Sequence, residues 1–115
     1  MSLDVGLYIK VDTGGKELHE VNLYDANITH NLNKMAADED LYDFLWAPEN
    51  LDITIASGLV LGLSKGLDLL KSDPERFKKF DSPNGWGMYE HFVPFVEDYL
   101  AACEAHPKAS INISK

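Results

Sequence analysis

Cysteine is nearly missing from the 115 residues. Cys103 stands alone, which excludes an internal disulfide and a cysteine-based zinc cluster and suits a reducing, cytoplasmic setting. Basic residues are also scarce: ten against nineteen acids give a formal net charge of −9 and a pI near 4.7. Useful affinity for a phosphate backbone needs clustered Lys and Arg to displace condensed counterions, so direct nucleic-acid binding is not expected. Long apolar runs are lacking too. The least polar stretch, residues 55–63, contains Ser57, Gly58 and Gly62 and falls far short of the roughly 20 residues that a spanning helix requires. The first residues alternate apolar with polar and include Asp4, unlike the basic start and continuous apolar centre of a signal peptide. Familiar catalytic signatures are absent: the chain has no GxSxG elbow, no GxGxxG, no Walker loop and no HExxH, so no sequence motif specifies an enzymatic activity.

What the sequence does contain is the patterning of one domain over residues 1–115, enough to bury roughly two-thirds of its unfolded surface. Leu3, Val5, Leu7, Ile9 and Val11 alternate with Asp4, Gly6, Tyr8 and Lys10, the period of two that buries one face of a strand. Thr13, Gly14, Gly15 and Lys16 read as a turn, and residues 17–25 as a second strand. Because Leu18 and Val21 differ in parity, that strand is expected to carry a bulge or an early irregular residue.

From Asn27 the period changes. Ile28, Leu32, Met35 and Ala36 predict a short helix with Asn27 as its N-cap. A second short helix carries Leu41, Phe44 and Leu45 and ends before Pro48. A longer one opens at Asn50 or Asp52 and carries Ile55, Leu59, Leu63, Leu67 and Leu70, with Gly58, Gly62 and Gly66 on one line, the mark of a groove where another element packs closely. Asp73-Pro74 starts a helical turn with Phe77 and Phe80. Residues 81–85 form a loop. A last helix from about Trp86 carries Phe92, Val96, Leu100 and Cys103, with a kink or break at Pro94, and Ile111 and Ile113 mark a closing strand. The expected fold class is α+β: a small antiparallel sheet, made of the N-terminal hairpin and the C-terminal strand, the latter favoured beside the first strand of the hairpin as an available edge, packed against four to five helices.

Two segments carry the candidate chemistry. Asn27, Thr29, His30 and Asn31 lie where a strand hands over to a helix, a place where free backbone N–H groups can hold a polar ligand. Capping and solvent exposure are the plainer uses of the same residues. Asn84, Trp86 and Tyr89 lie in a glycine-flanked run in which Trp86 offers a stacking face and Asn84 a donor and an acceptor; core anchoring of Trp86 is the plainer use. His19, His30, His91 and His106 are too dispersed for a local metal motif, so no metal or cofactor is expected. Glu90 or His91 beside His30 would make an acid–base pair only through tertiary contact. Trp46 with Phe44 and Tyr42 reads either as a partner patch or as core.

Charge is uneven as well. Asp38, Glu39, Asp40, Asp43, Glu49 and Asp52 fall in an interval with no Lys or Arg, while Lys71, Arg76, Lys78 and Lys79 cluster further on. An acidic face of this kind suits a basic protein partner or mimicry of a phosphate backbone; a solvated, solubilising face is the plain alternative.

Residues 26–32 (ANITHNL), 45–49 (LWAPE), 82–89 (SPNGWGMY) and 99–103 (YLAAC) together resemble a family of short uncharacterised bacterial and phage proteins. The resemblance spans most of the chain and implies a bacterial or prophage setting without a mechanism. Ala47 stands where relatives carry a more polar residue. The leading expectation is a non-catalytic binding protein in which residues 27–31 and 84–89 together line a pocket for a small polar or nucleotide-like ligand, with oligomerisation open. The rival is an acidic interaction module for a basic protein surface, and a small hydrolase or lyase ranks third.

Overall fold

The computed structural model describes residues 2–29, 32–38, 41–81, 85 and 87–115, with Asn33 and Asp38 described in their backbone only. The alternating N-terminus forms β1 (Ser2–Val11), which pairs antiparallel with β2 (His19–Thr29) and, on its other side, with β3 (Ser110–Ser114). The sheet order is β2-β1-β3, which places the C-terminal strand beside β1 as the patterning predicts.

Leu3, Val5 and Leu7 are fully or almost fully buried on one face of β1, while Asp4 is exposed on the other. The bulge lies where Leu7 pairs with Tyr24 but Tyr8 pairs with Asn22, which leaves Leu23 as the extra residue. It switches the inward parity of β2 from Val21 to Tyr24, Ala26 and Ile28, whereas Leu18, whose parity clashes with that of Val21, lies before the strand.

One expectation is corrected here. Asn27 does not cap a helix, because residues 27–29 continue β2 opposite residues 2–4. Ile28 is buried across from Leu3, and the Asn27 amide donates to the Asp4 carboxylate on the exposed face. Only three of the four helical-stripe residues serve a helix. Pairing along the whole of β1 satisfies backbone groups that a helix starting at Asn27 would leave open.

The helices follow as α1 (Asn33–Asp38), α2 (Tyr42–Trp46), α3 (Ser57–Ser72), α4 (Pro74–Lys78) and α5 (Tyr89–Ala105). A 3-10 turn over Pro48–Leu51 ends at Asp52 in a left-handed conformation, φ 57°. That turn delays the long helix to Ser57, later than the capping pattern suggests, and Ile55 lies outside the helix, exposed and bridged to Ser110 beside the sheet. α3 and α5 pack against each other and the sheet, burying Leu59, Leu63, Leu70, Phe92, Val96, Tyr99 and Cys103 in one core with the β1 side chains.

The glycine line of α3 receives its neighbours closely. A Cβ on Gly62 would overlap the Phe44 ring, one on Gly66 would overlap Leu41, and one on Gly58 would approach Ile53 to 2.8 Å. α5 is unbroken across Pro94, which sits on its exposed side; the carbonyl that loses its donor there is within reach of solvent. Trp46 is fully buried and stacks on Tyr42 at 5.4 Å between centroids, so it belongs to the core and not to an exposed patch. No helix among the described residues is long and apolar enough to cross a membrane.

Candidate functional site

β2 ends and α5 begins beside one another. Between them lies a cleft of about 310 Å³ lined by Asn27, Ile28, Thr29, Leu32, Gly85, Gly87 and His91. Its two apolar members, Ile28 and Leu32, are buried and form a floor. Asn27, Thr29 and His91 bring an amide, a hydroxyl and an imidazole to it. Among the described lining residues there is no Lys, Arg, Asp or Glu.

The loop side of the cleft is fixed by two glycines and a clamp. Gly85 and Gly87 adopt φ 79° and 95°, a left-handed backbone that side-chain-bearing residues adopt at a cost of about 1–2 kcal/mol. A Cβ on Gly85 would meet nothing within 4 Å, so the backbone there is open to approach. At the end of the loop the Tyr89 N–H donates to Asp81 Oδ1 at 2.7 Å, and the Tyr89 hydroxyl donates to the Leu70 carbonyl at 2.6 Å. Asp81 thereby satisfies one of the open donors of the first turn of α5 and places a carboxylate at its positive end. The same contacts hold α5 to the last turns of α3.

The two segments singled out in the sequence therefore reach the same cleft: Asn27 and Thr29 from one, and the glycines flanking position 86 from the other. Tyr89 is not among the lining residues; it positions the loop from behind. His30, Asn31, Asn84 and Trp86 lie outside the described residues. Leu32 lines the cleft although the pattern assigned it to a helical stripe, and His91, named in the sequence only as an acid–base partner for His30, lines it too. His91 is the third residue of α5, six after Gly85, and the position of the helix start brings it to the rim. Its side chain is 60% exposed, with Nε2 3.8 Å from Glu90 Oε1.

Larger concavities exist, but their chemistry differs. A groove of about 500 Å³ runs along α3 beside Phe44, Gly62 and Leu69, with Lys65 its one charged lining residue; it offers little to orient a polar ligand. A depression of about 460 Å³ lies between β3 and the 3-10 turn. Among the described residues no three His, Cys, Asp or Glu side chains converge to hold a metal.

The charged clusters are engaged within the chain. Lys71 meets Glu97 at 3.2 Å, Lys78 meets Glu75 at 3.7 Å, and Arg76, Lys78 and Lys79 each lie 5–6 Å from an aromatic ring centroid. In the acidic interval, Asp43 accepts from Asn50 at 3.4 Å and Glu49 meets Lys115 at 4.0 Å; Glu39 and Asp40 lie outside the described residues. Comparison with protein-family models, with curated proteins and with solved structures finds no match.

Proposed function

We propose that the chain is a binding protein whose cleft between the end of β2 and the start of α5 takes a small, uncharged, planar polar molecule of the nucleobase or nucleoside type. The observation that carries this reading is the convergence of residues 27–29 with Gly85, Gly87 and His91 on one cleft. Its apolar floor suits a ring face, and its amide, hydroxyl and imidazole suit ring-edge donors and acceptors. The volume lies near the small end for ligand sites. The absence of a cation among the described lining residues disfavours a ligand held by its phosphates.

Trp86 stands in sequence between the two cleft-lining glycines, and we assign it the stacking role that its ring permits. A thermal-shift screen with free bases, nucleosides and nucleotides tests the reading. Bases or nucleosides raise the melting temperature, and Asn27→Ala and His91→Ala remove that rise while leaving the unliganded melting temperature within a few degrees. A ligand-induced change in tryptophan emission is lost in Trp86→Phe. A screen with no binding in any of these classes overturns the proposal.

A further inference from the structure

Beyond Tyr8, β1 has no partner on its β3 side, while its pairing with β2 continues through Ile9↔Val21, Lys10↔Glu20 and Val11↔His19. Residues 9–21 thus form a two-stranded arm, every residue of which is exposed or half-exposed. It contributes to a length of 53 Å against widths of 27 and 22 Å, and to a radius of gyration of 15.0 Å, where about 13 Å is usual for a chain of this size.

Strand parity puts Ile9 and Val11 on the same side as the buried Leu7, but α5 ends at Ala105 and does not cover them. Ile9 is 36% exposed and Leu18 57%. At the base of the arm, Ile9 and Leu23 meet residues 106–109 around an apolar notch of about 360 Å³. An apolar ridge with free strand edges thus lies directly beside an apolar notch, an arrangement that two-stranded ribbons do not sustain well alone in water.

We propose that this arm is a self-association element: in a two-fold dimer the apolar side of each arm lies in the notch of the other copy. Two features select a second copy as the occupant. Ridge and notch adjoin on one chain, so one two-fold axis fills both at once, as an isologous interface requires. The charge also permits it. Residues 9–21 and 104–109 carry three lysines, Lys10, Lys16 and Lys108, and four acids, Asp12, Glu17, Glu20 and Glu104, so this end is close to neutral in a chain of net charge −9. Elsewhere two copies repel; here they approach with lysines and acids interspersed, and added salt screens what repulsion remains.

Sedimentation velocity across a concentration series, at low salt and at about 0.5 M NaCl where the Debye length is about 4 Å, tests this. The chain dimerises with concentration, and more tightly in salt. Ile9→Lys, at an exposed position on the apolar side of the arm, raises the dimer dissociation constant about tenfold or more, and Val11→Lys does the same. Amide exchange at residues 9–11 and 19–21 slows as concentration rises in the parent chain but not in Ile9→Lys. A chain that stays monomeric throughout, or a dimer unmoved by both substitutions, overturns the proposal and leaves the notch to a different partner.

Discussion

Gly62 occupies a position where any side chain collides with the Phe44 ring, and Gly66 one where it collides with Leu41. Alanine at either site gains about 1 kcal/mol of helix propensity but forces α2 off α3, and over-packing of that kind costs about 1–3 kcal/mol. Gly62→Ala is therefore expected to lower stability in urea unfolding, whereas an alanine exchange at the exposed Ser57 is close to neutral. Tyr99 presents a different case. Its hydroxyl is buried with no hydrogen-bond partner among the described residues, in a ring stacked on Tyr24 at 6.0 Å. Removing an unsatisfied hydroxyl while keeping the ring is expected to leave stability unchanged or raise it by about 1 kcal/mol in Tyr99→Phe; a loss of more than that argues for a partner to the hydroxyl. Burial, with Glu104 adding, pushes the Cys103 thiol up to about 12 from an ordinary 9.0. Burial raises the Tyr24 and Tyr99 hydroxyls as well. Each of these groups ionises less readily folded than unfolded, so its stabilising contribution is complete below the unfolded value and is lost as pH climbs. The melting temperature should hold up to about pH 9 and fall from there toward pH 12, the span set by the thiol. The same burial leaves Cys103 unreactive toward thiol reagents until the chain unfolds.

At the scale of elements, the cleft depends on how the start of α5 is held. Asp81 accepts from the Tyr89 N–H, and the Tyr89 hydroxyl donates to the Leu70 carbonyl, so the first residue of α5 is tied both to Asp81 and to α3. Asp81→Ala should cost about 1 kcal/mol, the usual worth of a cap, and should weaken ligand binding, with Asp81→Asn retaining much of both; a titration calorimeter and a melting curve separate the two effects. Much of this layer is legible in the sequence. The alternation in β1 and the glycine line of α3 follow from periodicity, and the place of β3 agrees with its need for an available edge; the clash of Leu18 with Val21 marks an irregular residue before β2, while the bulge itself lies further on, at Leu23. The handover from β2 to α1 is not legible in the same way. Ile28 fits both a helical stripe and a strand face, and only its position opposite Leu3 on β1 decides between them. The site shares that character: Asn27 and Thr29 are visible as polar residues at a junction, and Gly85 and Gly87 as conformational specialists. That His91 rather than Tyr89 lines the cleft depends on where α5 begins and which way it turns, and both are fixed by the nonlocal Asp81 contact.

For the whole molecule, charge and shape divide the work. Lys71 and Lys78 pair with acids, and Arg76, Lys78 and Lys79 lie near aromatic rings of the same chain; residues 9–21 and 104–109 carry three lysines and four acids, so most of the net −9 lies away from the arm. The cleft, bounded by β2, the loop before α5 and α5 itself, lies apart from the notch formed by Ile9, Leu23 and residues 106–109. Ligand binding and self-association should accordingly vary independently: Ile9→Lys weakens the dimer about tenfold or more without changing ligand affinity, and His91→Ala does the reverse. The central claim is that one cleft unites two distant stretches of sequence, and amide chemical-shift mapping during titration with a nucleoside tests it most directly. Joint saturable shifts at Asn27, Thr29, Gly85, Gly87 and His91 are the predicted result, and shifts confined to one of the two stretches, or none at any concentration, would contradict it.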